Sequence, residues 1–194
     1  MDLLNYLNDI DTRLLLAING AHSSWADHLM IILSERWVWL PFYAVLVALI
    51  IVKYRWRSWL ALVFIALLIT TSDRFTSGFM KPFFARLRPC HVESLEKLLY
   101  LPIGCGGAHG FASSHAANSF AAAMFLWLLL HKKIKGIVLL FPWAFMICYS
   151  RIYLGAHYPG DVFIGMLIGI ALGFLFYRLY MLTDNKITKP IKAG

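Results

Sequence analysis

Apolar runs long enough to cross a bilayer constrain this chain more than any other feature. Five of them, at about 37–52, 58–79, 114–130, 136–150 and 161–182, are dominated by hydrophobic residues, and several reach the roughly 17 to 25 residues that span a hydrocarbon core as helix. Lipid offers no partners to backbone N–H and C=O groups, and the runs lack the alternation of barrel strands, so helices are the expected solution. A content of 60% hydrophobic and 14% charged residues, with a mean hydropathy of +0.68, is too apolar for an ordinary soluble domain. The expected fold is all-α: a polytopic transmembrane helical bundle of about five to six spans, one membrane-embedded domain over residues 1–194.

The start, MDLLNYLNDIDTRLLLAING, places Asp9, Asp11 and Arg13 mid-segment and has no basic leader region. It reads as an interfacial amphipathic helix rather than a signal peptide. A short apolar piece at 25–33 then leads toward the first span, completing an N-terminal region of residues 1–34. Five crossings put the ends of spans two and four and the starts of spans three and five on one face, together with the loop at 80–112. The opposite face carries Lys53, Arg55 and Arg57, then Lys132, Lys133 and Lys135, then Lys186, Lys189 and Lys192. The positive-inside rule makes that face and the C-terminus cytoplasmic. Lys81, Arg86, Arg88 and Arg151 lie on the outward face and are assigned to a site rather than to topology. The formal net charge of +8 therefore does not point to nucleic acid, because the basic residues sit at the ends of apolar runs. Cys90 and Cys105 share the outward loop, where oxidation is permitted; a bridge between them is one reading and two free thiols the other. Gly165, Gly169 and Gly173 give span five a small-residue face that suits the alanines of span three, Ala116 to Ala123, with a homodimer seam as the competing use.

Three stretches on the outward face carry the chemistry: KPFFARLRP at 81–89, ASSH at 112–115 and SRIYLGAHYPGD at 150–161. Pro89 ends any helix at Arg88, and Lys81 lies about two turns earlier, so both cations can reach one anion. Ser113, Ser114 and His115 sit where a loop becomes span three, where free N–H groups and the helix dipole favour a phosphate; simple N-capping is the plainer role for the serines. His157 lies four residues before Asp161, which can accept a hydrogen bond from one ring nitrogen and leave the other free as a nucleophile. A His–Asp pair also suits a metal, but Lys81, Arg88 and Arg151 would repel a divalent cation while attracting an anion. No cofactor or metal is expected. Asp73 and Arg74, late in span two, read as a mutual pair or as support for Lys81. Among the remaining histidines, His109 is the one that approaches the anion turn.

With these residues the chain resembles the type 2 phosphatidic acid phosphatase family, related to vanadium-dependent haloperoxidases. The family pattern is Lys, six residues, Arg-Pro; then Pro-Ser-Gly-His; then Ser-Arg, five residues, His, three residues, Asp. Lys81 and Arg88-Pro89, Ser113 and His115, and Ser150-Arg151, His157 and Asp161 match it, while Ala112 replaces the Pro and Ser114 the Gly. The resemblance implies that His157 attacks phosphorus, Asp161 orients it, and His115 protonates the leaving oxygen and later activates water. It implies that Lys81, Arg88, Arg151 and Ser113, with N–H groups of the Ser114 turn, hold the phosphoryl oxygens.

The expected function is an integral-membrane lipid phosphatase of a bacterial inner membrane, with its site facing the periplasm or exterior and a lipid phosphate as its partner. Undecaprenyl diphosphate is the first substrate choice and lipid A the second, followed by phosphatidylglycerol phosphate and phosphatidic acid. A non-catalytic lipid-phosphate binding or transport protein is the alternative of another class, against which intact His115, His157 and Asp161 argue. The sequence does not give the oligomeric state.

Overall fold

A computed structural model describes residues 3–188; Lys189 and Lys192 lie outside the described residues. Every regular element in that range is helical. The chain starts with a helical hairpin, α1 (Leu3–Gly20) and α2 (Ser24–Ser34). Ser23 caps α2, its side chain accepting from the Ala26 N–H at 3.4 Å, which satisfies one of the donors a helix start leaves free. Then come α3 (Leu40–Tyr54) and α4 (Ser58–Asp73). They belong to one apolar helical stretch, Trp37–Phe84, but Arg55 at φ 56° reverses the chain, so α3 and α4 pack on each other instead of forming a rod. α4 continues through a π-helical segment, Arg74–Met80, and a last turn, Lys81–Phe84, that ends at left-handed Ala85. The bundle is completed by α5 (Ser114–Leu130), α6 (Leu140–Tyr153) and α7 (Pro159–Thr188).

By length and composition Trp37–Phe84, Lys135–Tyr153 and Pro159–Ile187 are able to cross a membrane, and Ser114–Leu130 is a shorter apolar helix. The shorter one is the centre of the bundle. α5 buries Ala116, Ala117, Phe120, Ala121, Phe125 and Leu129, packing against α4, α6 and above all α7. The α5–α7 seam is made by the expected small residues. A Cβ added to Gly165 would lie 2.5 Å from the Ser113 carbonyl, and one added to Gly173 would lie 2.7 Å from that of Ala121. Lipid supplies no hydrophobic drive between helices, so this close backbone approach and its dispersion contacts hold the pair together. The small-residue face is thus used within the chain. Large side chains left outside, such as Val45, Leu67, Phe163 and Phe174, form the lipid-facing surface.

The N-terminal hairpin keeps the exposed apolar flank of an interfacial helix, with Leu3, Leu4, Leu7 and Leu14 outward, yet it is also tied into the bundle. The Asn19 amide donates to the carbonyls of Tyr100 (2.8 Å) and Tyr153 (2.7 Å) and accepts from the Tyr100 N–H (2.9 Å). Asp27 accepts from the hydroxyls of Tyr153 (2.6 Å) and Tyr100 (2.9 Å). The Tyr153 hydroxyl, ahead of the opposing effect of burial, holds the Asp27 carboxyl below the usual range. The loop between α4 and α5 is closed by a disulfide between Cys90 and Cys105. It is pinned further by Arg88 N–H to the Ala108 carbonyl (2.8 Å) and Gly110 N–H to the Arg86 carbonyl (2.9 Å).

Candidate active site

The three motifs converge at one end of the bundle, on a cavity of about 720 Å³. One wall comes from α4 and α5. Lys81, in the turn after the π-helical segment, donates to the hydroxyls of Ser114 (3.0 Å) and Ser77 (3.3 Å), which are themselves 2.7 Å apart. π-Helical turns recur at functional sites, and here Ser77 and Lys81 share the cavity side of the segment. Arg88 and His115 line the same wall. Arg88 is steered by its Nε–H, which donates to the His109 carbonyl at 3.3 Å; the backbone of His109, not its ring, is what serves the anion turn. Burial pulls Arg88 below its ordinary pKa, with Asp161 partly offsetting it.

Behind the cavity lining stands a second, buried wall made by the α6–α7 connection, and its sequence explains its shape. Gly155 at φ 68° lets the chain leave α6, while the N–H groups of Ala156 and His157 return to the Arg151 carbonyl at 3.0 and 3.2 Å. Pro159 starts α7 where its missing N–H costs nothing. Asp161 reaches back to accept from the Tyr158 N–H at 3.2 Å, which is half of a capping box. His157 is held in the short turn between these two helix ends, 1% exposed, with Nδ1 3.5 Å from Oδ2 of a fully buried Asp161. Burial first, and then the cations Arg88 and Arg151, push His157 down to about 4 against the pull of Asp161, so the ring is neutral near pH 7.

Asp161 is positioned in turn by Arg86, from within the first stretch, and through it by Asp11 of α1. Arg86 donates to Asp161 Oδ1 at 2.7 Å and to Asp11 Oδ2 at 2.7 Å, and lies over the Tyr158 ring at 4.1 Å. Burial disfavours the Arg86 cation, but Asp161 and Asp11 outweigh it and raise its pKa. Asp11 also accepts from the Gly160 N–H at 2.7 Å, so α1 grips both the start of α7 and the arginine behind the pair. Gly110 closes this layer: a Cβ there would stand 3.0 Å from Asp161 Oδ2 and 3.5 Å from His157 Nδ1.

Of the sequence-predicted residues, Lys81, Arg88, Ser114 and His115 face the cavity, while Ser113, Arg151, His157 and Asp161 are buried behind its surface. Arg151 Nη1 bonds to Ser34 Oγ, and its Nε has no partner among the described residues. Ser113 does not cap α5 with its side chain; its hydroxyl is buried without a partner. Its N–H is also taken, donating to the Asp161 carbonyl at 3.0 Å, so the free donors of this turn begin at Ser114. No ion pair joins Asp73 and Arg74 among the described residues; Asp73 instead lines the cavity. Asp11, Ser77 and Gly110 carry no motif signal. Arg86 is marked only by its place between Lys81 and Arg88. Cys90, His91 and Cys105 cluster closely enough for a metal, but both sulfurs are spent in the disulfide.

Comparison with known proteins finds relatives of this chain in sequence and in fold. The PAP2 superfamily profile matches residues 61–183. A lipid A 4'-phosphatase of Bacteroides thetaiotaomicron is 42% identical over 98% of this chain and 84% of its own length. The crystal structure of Aquifex aeolicus LpxE superposes with a TM-score of 0.64 at 29% identity, covering 86% of this chain and 94% of that one. The crystal structure of a PAP2-type phosphatidylglycerolphosphate phosphatase from Bacillus subtilis gives a TM-score of 0.68 at 22% identity, covering 95% and 89%, and is a likeness of fold.

Proposed function

This chain belongs to the PAP2 superfamily and is a membrane lipid phosphatase, and from that premise we propose that it removes the 4'-phosphate of lipid A through a phosphohistidine on His157. The single observation that carries the reaction is the buried His157–Asp161 pair behind a wall of cavity-facing cations. The relative that is 42% identical over nearly the whole chain moves the choice of lipid from the polyprenyl diphosphate favoured on sequence alone to lipid A.

The Asp161 carboxylate faces Nδ1–H, so the proton stays on Nδ1 and the Nε2 lone pair is left to attack. As the Nε2–P bond forms, the bond from phosphorus to the lipid oxygen breaks, and His115 gives that oxygen its proton. The neutral His115 then takes a proton from water; the water oxygen bonds to phosphorus, the P–N bond breaks and inorganic phosphate leaves. Lys81, Arg88 and Arg151, the Ser113 and Ser114 hydroxyls and the first N–H groups of α5 hold the non-bridging oxygens as their charge redistributes. None of these steps routes through a metal. The site lies on the outward face of a bacterial inner membrane, where the apolar continuation of the cavity admits a lipid whose tails stay in the bilayer. In that orientation the C-terminus is cytoplasmic.

Purified enzyme in nanodiscs is expected to release phosphate from lipid A in the presence of chelator, faster than from polyprenyl diphosphate, phosphatidylglycerol phosphate or phosphatidic acid. His157→Ala is expected to release none. Faster release from polyprenyl diphosphate would contradict the substrate assignment, and loss of activity with chelator would contradict the metal-free route.

A further inference from the structure

The cavity does not turn apolar immediately below the phosphate site. Ser77 of the α4 extension and Ser114 of α5 touch across the two helices at 2.7 Å. α4 runs toward this end of the bundle and α5 away from it, so the residue four before Ser77 and the residue four after Ser114 stand at one level. Along α5 that level is one helical turn, about 5.4 Å, deeper, and on α4 it lies where the π-helical segment begins. The residues are Asp73 and Asn118, and both line the cavity, with Thr70 close by on α4. Below them the lining becomes Leu62, Ile65 and Leu126.

This layer is short of donors. The Asn118 Oδ1 is buried with no hydrogen-bond partner, and the Asp73 carboxyl has neither a hydrogen bond nor an ion pair among the described residues. A carboxyl on a membrane-spanning helix is expensive to keep and marks function. An orphaned buried acceptor likewise calls for an explanation. The Asp73 charge lies within electrostatic reach of Lys81, and neither side chain is bonded to any residue assigned to the reaction.

We propose that Asp73 and Asn118 accept hydrogen bonds from amide N–H or hydroxyl groups of the lipid near its phosphorylated position, selecting phosphorylated amino-sugar lipids with N-linked, hydroxylated acyl chains. The inference rests on the reading of the site as a lipid phosphatase and sharpens its substrate class. An amide nitrogen and a phosphate oxygen two positions apart on one amino-sugar ring are separated by roughly the one-turn drop from the Ser77–Ser114 level to this layer. Polyprenyl diphosphates and phosphatidic acid offer only hydrocarbon and acceptors at that depth, so they bring neither acceptor a donor. Sites built to bond a substrate N–H or O–H discriminate strongly against analogues that lack it.

The test uses two synthetic glycolipid monophosphates of equal chain length. One carries amide-linked 3-hydroxyacyl chains and the other ester-linked chains without hydroxyls. Wild-type enzyme in nanodiscs is expected to favour the first by about tenfold or more in kcat/KM, and Asp73→Ala is expected to bring that ratio below about threefold. Asn118→Leu provides the same readout should Asp73→Ala fail to reach the membrane. Equal kcat/KM values in the wild type would overturn the inference while leaving the phosphatase reading intact. A ratio unchanged by both substitutions would do the same. Release from neither lipid would overturn the phosphatase reading itself, and the inference with it.

Discussion

The two walls of the site are built on opposite principles. Lys81, Arg88, Ser114 and His115 face the cavity, and their mutual contacts are ones a phosphate can replace, as where the Lys81 ammonium rests on two serine hydroxyls. His157 and Asp161 are almost wholly buried and are fixed by helix ends, by Arg86 and, through Asp11, by the N-terminal helix. Anion-binding groups do best when substrate completes their hydrogen bonding, whereas a nucleophile does best when its orientation is settled before substrate arrives. In the proposed mechanism the difference gives binding to one wall and preorganisation to the other.

Substituting both walls in parallel tests that division most strongly. Arg88→Ala is expected to cut kcat/KM by about 10²- to 10³-fold, because it removes charge at the phosphoryl oxygens. Arg86→Ala is expected to lower kcat by about 10²-fold with KM little changed, since a misplaced His157 still leaves the binding wall whole. Asp11→Ala is expected to follow Arg86→Ala in direction and to fall short of it in size. Steady-state kinetics on one lipid phosphate distinguish the two signatures, and a KM effect dominating in Arg86→Ala would merge the walls into one.

The pH dependence sharpens the contrast further. With His157 held down to about 4, the acidic limb of kcat/KM is expected near pH 4 rather than near the ordinary histidine value of about 6.5, falling about tenfold per unit below it. The stability consequence has a definite sign. The folded pKa lies below the unfolded one, so the stabilisation from a neutral His157 is complete above about pH 6.5 and is lost as pH falls toward 4. Thermal unfolding of wild type against His157→Asn is expected to show the difference shrinking across that window. A constant difference would mean that the ring is not held neutral by burial.

A smaller change comes from the layer that closes the buried wall. Gly110→Ala places a methyl 3.0 Å from Asp161 Oδ2 and 3.2 Å from Arg88 Cγ. It is expected to lower kcat by roughly tenfold through displacement of the pair, with protein yield and thermal midpoint near wild type. An unchanged kcat would show that the pair tolerates movement.

Much of this was readable in the chain because it depends on local spacing. Span-length apolar runs give helices, the four-residue step of glycines on span five meets the alanines of span three, and the intervals from Lys81 to Arg88 and from Arg151 through His157 to Asp161 fall at turn and helix ends. Arg86 was readable as a site cation, but the contacts that support the buried wall were not. Arg86 meets Asp161 across 75 residues and Asp11 meets Gly160 across 149, and no periodicity links such pairs. Ser113 illustrates a subtler limit: its residue type suits an anion turn or a cap, but only the packing of α7 reveals that its N–H is given to the Asp161 carbonyl. Of the two readings of Asp73 and Arg74, the mutual pair is absent among the described residues, since neighbours on a helix point in different directions, while Asp73 turns to the cavity within electrostatic reach of Lys81.

The central claim is that His157 is the nucleophile, made ready by the buried Asp161. It is tested most directly in a His115→Asn variant given a radiolabelled aryl phosphate, whose leaving group needs no protonation, so that the second step alone is slowed. Rapid quenching is expected to trap an acid-labile, alkali-stable phosphoryl group that peptide mass spectrometry places on His157. Label at any other residue, or none while aryl alcohol is released in a burst, would contradict the account.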